Sequence, residues 1–186
     1  MDDDKIVDLY WERSELAISE TEKKYGSYCT TIAVNILHNG EDAKECVNDT
    51  FLKTWEAIPP RRPTFFRGFL GKITRNLSLD MYRKSKAQKR GGGEIDLLFG
   101  ELEDCIPASE TVESQQESEM IAQAINDCLL SMKSTTMVVF VRRYWYAESI
   151  QAIAARFNMS ESAVKTMLFR ARKKLKEHLE KEGVMI

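Results

Sequence analysis

The sequence predicts an all-α protein made of two small helical domains joined by a flexible linker, and three observations support this fold class. Apolar residues recur at helical spacing along nearly the whole chain, and no segment shows the alternation expected of a half-buried strand. The 186 residues, 43% of them apolar, suffice for one ordinary domain or two small ones. Three consecutive glycines, Gly91 to Gly93, interrupt the pattern. Because glycine disfavours regular structure, they separate two helical regions.

The N-terminal region opens with a stretch, about Val7 to His38, that is predicted to form two helices. Their expected core residues are Leu9, Leu16, Ile32 and Ile36. A third helix is predicted from Glu41 to Trp55, where an apolar residue recurs every four positions, at Ala43, Val47, Phe51 and Trp55. Pro59 and Pro60 end this helix, since each proline lacks a backbone donor and biases its predecessor away from helical angles.

A long helix with a basic surface is predicted from Phe66 to about Lys86. Its buried side is expected to carry Phe66, Leu70, Ile73, Leu77 and Met81. The opposite side is expected to present Lys72, Arg75, Leu79, Arg83 and Lys86, with Asn76 and Asp80 on one flank. Between residues 61 and 90, ten Lys or Arg residues stand against a single acidic residue. The segment is therefore a basic patch, which the net charge of −2 for the whole chain conceals.

Acidic residues dominate the segment after the glycines. Residues 91–132 hold ten acidic side chains and no basic one, whereas residues 1–90 carry a net charge of +2 and residues 133–186 of +6. Repulsion between unpaired acids, together with Pro107, predicts a flexible linker. We therefore expect one domain at residues 1–90, an acidic linker at 91–117 and a second domain at 118–186.

The second domain carries the spacing of a helix-turn-helix. A short helix that packs through Ile150, Ile153, Ala154 and Phe157 is followed by a tight turn, and Ser160 is suited to cap the next helix from Glu161. In that second helix, Val164, Leu168, Ala171 and Leu175 are expected to face the core. The residues turned outward are Lys165, Thr166, Phe169, Arg170 and Lys173. Such side chains suit a DNA major groove, because they can bond phosphates and base edges or contact a thymine methyl.

Other classes of protein are not favoured. A charged outer face alone also fits a solvated helix, but the capped turn and the basic first three turns favour DNA binding. The four cysteines form no C-x-x-C pair, so no metal site is expected, and neither a cofactor nor a catalytic centre, such as that of a nuclease, is indicated. The chain shows no signal peptide and no apolar run of about 18 residues. We expect a reduced, cytoplasmic, soluble protein without membrane insertion.

Three segments, in order, resemble bacterial sigma factors of the extracytoplasmic function type. SIQAIAARFNMSESAVKTMLFRARKKLKEHL is similar to their region four, which recognises the promoter −35 element and docks on the flap of the RNA polymerase β subunit. DAKECVNDTFLKTWEAI is similar to the region-two helix that grips the β′ clamp. GFLGKITRNLSLDMYRKSKAQKR is similar to the region-two helix that reads and opens the −10 element.

The resemblance implies roles for individual residues. Lys165, Thr166, Phe169 and Arg170 would face −35 DNA, and Asn76, Asp80 and Arg83 would belong to the −10 surface. The loop from Ile58 to Phe66 would receive a flipped-out base. Phe65 and Phe66 could supply an aromatic partner for it, and Arg61, Arg62 and Arg67 could supply cations for its phosphates. Core packing is the alternative for both rings. Phe66 is expected to pack in the core instead. On the polymerase-facing helix the contact residues would be Asp42, Asp49 and Lys53, whereas Phe51 and Trp55 are expected to pack in the core.

The function that follows from the resemblance is a dissociable initiation subunit that directs core RNA polymerase to promoter DNA. An anti-sigma factor covering its DNA- and polymerase-binding faces is also implied. The alternative is a self-sufficient helix-turn-helix regulator, which explains the C-terminal unit but leaves the basic helix and the acidic linker without a task. The acidic linker suits a sigma factor, because it could occupy a positively charged nucleic-acid channel.

Overall fold

The computed structural model describes residues 1–87, 94–103, 105–106 and 115–184. The chain divides into two compact units, Met1–Gly91 and Gly92–Ile186. Within the described ranges all regular structure is helical, which confirms the predicted all-α class. No helix of these ranges is long and apolar enough to cross a membrane.

Unit 1, the compact unit Met1–Gly91, packs four helices around one core. They are α1 (Asp3–Trp11), α2 (Leu16–Leu37), α3 (Gly40–Ala57) and α4 (Phe66–Ala87). The two helices predicted before His38 are therefore confirmed as α1 and α2. Asn39 caps α3, its side-chain oxygen accepting a hydrogen bond from the Glu41 amide at 2.9 Å, a kind of contact that contributes about 1 kcal/mol. The largest fully buried side chains of the unit are Ile6, Tyr10, Ile32, Ile36, Ile58, Phe66 and Leu70.

Two expected core assignments in unit 1 are wrong. Leu16 is 62% exposed, because it is the first residue of α2 and lies at the helix end rather than on its packed face. Leu79, expected on the outer side of α4, is 8% exposed. The helix packs against both α2 and α3, so its buried arc is wider than a single apolar stripe and includes Thr74 and Ser78.

Short polar side chains join α3 to α4 inside unit 1. The Cys46 Sγ lies 3.1 Å from Ser78 Oγ, and Thr50 Oγ1 lies 3.3 Å from Thr74 Oγ1. All four side chains are fully buried. Because each hydroxyl also bonds a backbone carbonyl of its own helix, the polar groups are satisfied without water.

Unit 2, the compact unit Gly92–Ile186, contains five helices in its described part. They are α5 (Glu94–Glu103), α6 (Gln115–Leu130), α7 (Ser134–Tyr144), α8 (Ile150–Phe157) and α9 (Glu161–Lys181). Helix α9 packs against α6, α7 and α8. Its four predicted core residues, Val164, Leu168, Ala171 and Leu175, are all buried, which confirms the helical register derived from the sequence.

Helix α5 differs from the expected linker. It lies inside the segment 91–117 that was predicted to be a flexible acidic tether, yet it belongs to unit 2. Ile95 is 2% exposed and Leu98 is 1% exposed. These two residues, spaced i and i+3, give a short apolar stripe that offsets the repulsion between neighbouring acids. Much of the rest of the predicted linker lies outside the described residues, so its predicted boundaries stay a prediction.

Candidate nucleic-acid interface

The α8–α9 pair forms the predicted helix-turn-helix. The Ser149 hydroxyl caps α8 by accepting a hydrogen bond from the Ala152 amide at 3.1 Å, and the Ser160 hydroxyl caps α9 by accepting one from the Ala163 amide at 3.1 Å. Asn158 ends α8 in the left-handed region, with φ of 51°. The cap predicted at Ser160 is thus confirmed.

The outward face of α9 presents all five residues predicted to contact DNA. Lys165, Thr166, Phe169, Arg170 and Lys173 are exposed. Phe169 is 60% exposed, which is unusual because phenylalanine side chains are mostly buried in folded proteins. Lys173 Nζ lies 3.9 Å from Glu177 on the next turn, a loose pair in solvent that leaves the amine accessible. We call these five residues the reading face.

A buried carboxylate organises the corner between α7 and α8. Glu148 is 8% exposed, and its carboxylate accepts hydrogen bonds from Arg142 at 3.1 Å and from two nitrogens of Arg156 at 2.9 and 3.1 Å. Its backbone carbonyl accepts another from Arg143 at 3.1 Å. The sequence reading did not identify this cluster. Charges separated by six and eight residues on either side of a turn give no periodic signal.

The end of α5 joins a second polar cluster in unit 2. Glu101 Oε2 accepts a hydrogen bond from the Tyr144 hydroxyl at 2.8 Å and lies 3.3 Å from Arg172 NH1 and 3.8 Å from Arg143 Nε. Burial, with the Glu101 carboxylate as the second cause, raises the pKa of Tyr144 well above its usual value. Tyr144 is 5% exposed.

In unit 1, helix α4 carries the predicted −10 residues on its surface. Asn76, Asp80 and Arg83 are exposed, and Arg83 NH1 lies 3.7 Å from Asp80 Oδ1. Arg75 is only partly exposed, and burial lowers the pKa of its guanidinium to about 10. It remains cationic at neutral pH, but its charge lies deeper in the protein than that of Arg83.

The loop before α4 contains an exposed aromatic ring. Phe65 is 68% exposed, whereas its neighbour Phe66 is 1% exposed and packs in the core as predicted. The Phe65 ring lies so close to Gly68 that a Cβ at that position would be 2.4 Å from its Cδ1. Arg61 and Arg62 are exposed, and Arg62 pairs with Asp8 of α1. The guanidinium of Arg67 lies 4.7 Å from the centre of the Tyr28 ring.

The predicted polymerase-facing side of α3 is polar, with one exception. Asp49 and Lys53 are exposed and Asp42 is partly exposed. Lys53 bonds Glu56 at 2.8 Å, and that contact raises the pKa of its amine. Leu52 is 53% exposed beside them and was missed by the sequence reading, because it lies off the four-residue apolar stripe. Phe51, at 5% exposure, lies in the core as predicted, and Trp55 packs partly buried against Tyr10.

Family models match both units. The model described as sigma-70 region 2 matches residues 23–88, and the model described as sigma-70, region 4, matches residues 122–175. Together these ranges cover almost two thirds of the chain. The first spans most of α2 with α3 and α4, and the second runs from the middle of α6 through α7 and α8 into α9.

Curated relatives agree with these matches. Over 151 residues the chain is 26% identical to the probable RNA polymerase sigma factor RfaY of Xanthomonas campestris pv. campestris, covering 81% of this chain and 37% of that protein. Over 165 residues it is 24% identical to the ECF RNA polymerase sigma factor SigE of Mycolicibacterium smegmatis, covering 88% of this chain and 62% of that protein. The chain therefore spans less than two thirds of the length of either relative.

A solved structure is similar over most of both chains. It is described as CnrH in complex with the cytosolic domain of CnrY, with 21% identity, a TM-score of 0.45, and coverage of 96% of this chain and 97% of that one.

Proposed function

The chain belongs to the sigma-70 family of RNA polymerase sigma factors, and on this basis we propose that it directs core polymerase to specific promoters. The observation that carries the proposal is the agreement between the region 4 match and α9. The five residues predicted to read DNA all lie exposed on that helix, beside a correctly capped turn. A cytoplasmic location follows from this role.

Unit 2 is proposed to recognise the −35 element. With α9 in the major groove, Lys165, Thr166, Phe169 and Arg170 would lie against base edges and phosphates, and Lys173 would contact the backbone. A guanidinium that bonds a guanine edge discriminates by about 1–3 kcal/mol. Arg170 is therefore proposed to contribute most to sequence preference.

Unit 1 is proposed to read and open the −10 element. Asn76, Asp80 and Arg83 form its exposed surface on α4, with Arg75 contributing charge from a deeper position. The exposed Phe65 ring offers a stacking partner for an unpaired base, an interaction of about 1–3 kcal/mol. Arg61 and Arg62, in the same loop as Phe65, would approach the adjoining phosphates.

Contact with core polymerase is proposed to involve both units. On α3 the surface of Asp42, Asp49 and Lys53 would meet the β′ clamp, and the exposed Leu52 supplies an apolar centre to this otherwise polar patch. In unit 2 the exposed apolar residues of α6 and α7, Met120, Leu130 and Val138, are candidates for docking on the β flap. An anti-sigma factor would act by covering these faces. The protein is proposed to act by binding alone, without a catalytic centre or cofactor.

A transcription assay with purified components tests the proposal. The full chain is added to core polymerase and a promoter library, and promoter-directed transcripts are sequenced. We expect start sites that share two upstream elements, and weak, salt-sensitive binding of the free chain to duplex DNA. Tight specific binding of the free chain without polymerase, and no promoter-directed transcripts with it, would instead support a self-sufficient regulator.

A further inference from the structure

The acidic helix α5 packs beside the reading face of unit 2. Leu98, 1% exposed, and Ile95, 2% exposed, anchor it. Glu101, near its C-terminal end, then receives the Tyr144 hydroxyl at 2.8 Å and lies 3.3 Å from Arg172 NH1. The helix is thus held by apolar burial and by a charge-assisted cluster, although its sequence, EIDLLFGELE, contains four acids and no base.

The contact extends to residues proposed to touch DNA. Glu101 and Cys105 line one side of an open cavity of about 260 Å³, and its other side is lined by Phe169, Arg172, Lys173 and Lys176 of α9. These α9 residues are spaced i, i+3, i+4 and i+7, so they form one continuous flank. Phe169 and Lys173 belong to both the reading face and this cavity. A DNA backbone seated against Lys173 would therefore bring phosphates next to the Glu101 carboxylate.

We propose that α5 is an internal competitor of promoter DNA, occupying the flank of the reading face in the free protein and leaving it when the −35 element binds. The proposal rests on the proposed function and names how that site is regulated. Glu101 pairs with Arg172 and lines the same cavity as Lys173, so its negative charge lowers the positive potential that attracts DNA to this flank. Binding energy from DNA must then exceed that of the α5 contacts.

Two aspartate substitutions on adjacent α5 residues test the proposal. Leu98→Asp places a charge at a position that is 1% exposed, so it should detach α5 from unit 2. Leu97→Asp adds the same charge at a position that is 69% exposed and serves as the control. For the free full chain, we expect Leu98→Asp to bind duplex DNA carrying the −35 element about fivefold or more tightly than Leu97→Asp. Equal affinities, with both variants folded, would overturn the proposal.

Hydrogen exchange provides a second readout that needs no destabilising change. In the wild-type chain, amides of α5 should be protected when the protein is free and should lose that protection in the promoter complex. Glu101→Gln should lower the protection in the free protein and raise promoter affinity in the same direction as Leu98→Asp. Protection of α5 that persists in the promoter complex contradicts the proposal.

The outcomes separate this proposal from the proposed function. A wild-type chain that gives no promoter-directed transcripts with core polymerase overturns both. A wild-type chain that transcribes, while α5 stays protected and the two aspartate variants bind alike, overturns only the role of α5.

Discussion

The carboxylate of Glu148, in the turn between α7 and α8, accepts hydrogen bonds from two nitrogens of Arg156 in α8, at 2.9 and 3.1 Å. Arg142 bonds the second oxygen of the same carboxylate at 3.1 Å. One acidic group thus neutralises part of a cluster of arginines and fixes the entry to the helix-turn-helix.

Glu148→Gln should destabilise unit 2 by about 1–2 kcal/mol, because Arg142 and Arg156, which are partly exposed to solvent, lose the charge of their shared buried partner. Hydrogen exchange of α7 and α8 amides in the full chain measures the loss, and α2 amides in unit 1 should be unaffected. The control is Glu180→Gln, an exposed carboxylate on α9, which should change stability by less than about 0.5 kcal/mol. Equal effects of the two variants would show that the cluster is not stabilising.

Ala147→Gly should stabilise unit 2 by about 0.5 kcal/mol. Ala147 has a φ of 52°, a left-handed conformation that strains an alanine and not a glycine. The gain is reduced by the greater entropy of glycine in the unfolded chain. Ala155→Gly, at an exposed position inside α8, should instead destabilise by about 1 kcal/mol. Urea unfolding of both variants checks whether the signs are opposite.

Arg170→Ala should weaken −35-dependent transcription about tenfold, consistent with the loss of about 1–3 kcal/mol of base discrimination. Binding to core polymerase should be unchanged, because Arg170 is exposed on the reading face. Lys181→Ala, which removes an exposed charge at the C-terminal end of α9, serves as the control. Unchanged transcription by Arg170→Ala would remove this residue from the reading face.

Asn76→Ala should slow open-complex formation on duplex promoter DNA more than on DNA that is already melted. The amide is exposed on α4, where it would act while the strands separate. Abortive transcription from matched duplex and pre-melted templates measures the ratio. A similar reduction on both templates would assign Asn76 to binding instead of melting.

Gly68→Ala should leave unit 1 folded, or stabilise it slightly, while reducing promoter opening. Alanine favours the helix by up to about 1 kcal/mol, but its Cβ would lie 2.4 Å from the Phe65 ring and displace it. Because Phe65 is 68% exposed, the ring can move without opening the core. Thermal unfolding and open-complex kinetics are measured together, with Phe65→Ala as the comparison. Normal opening by both variants would contradict a stacking role for Phe65.

The sequence predicted those parts of the fold where a single local pattern dominates. Helices α8 and α9 follow from regular apolar spacing and from Ser160, which is both a turn residue and a cap. The same periodicity placed the reading face outward. Leu79 could not be placed in this way, since its burial results from α4 packing against two helices at once.

Contacts between residues far apart in the chain could not be predicted from local periodicity. The acids around Ile95 and Leu98 indicated a solvated tether, whereas burial of these two side chains and the contacts of Glu101 with Tyr144 and Arg172 make the segment a packed helix. The Glu148 cluster was missed for the same reason. Most of the predicted contact residues are exposed, as a contact role requires. Their individual roles stay predictions.

The direct contacts between Cys46 and Ser78 and between Thr50 and Thr74 have a mechanical consequence for unit 1. Side chains this short leave no compliant layer between α3 and α4, and densely packed interiors transmit displacement with little compression. In the proposed role, a displacement of α3 caused by polymerase binding is transmitted directly to the promoter-facing side of α4. Polymerase binding and strand separation would then be mechanically coupled through this contact.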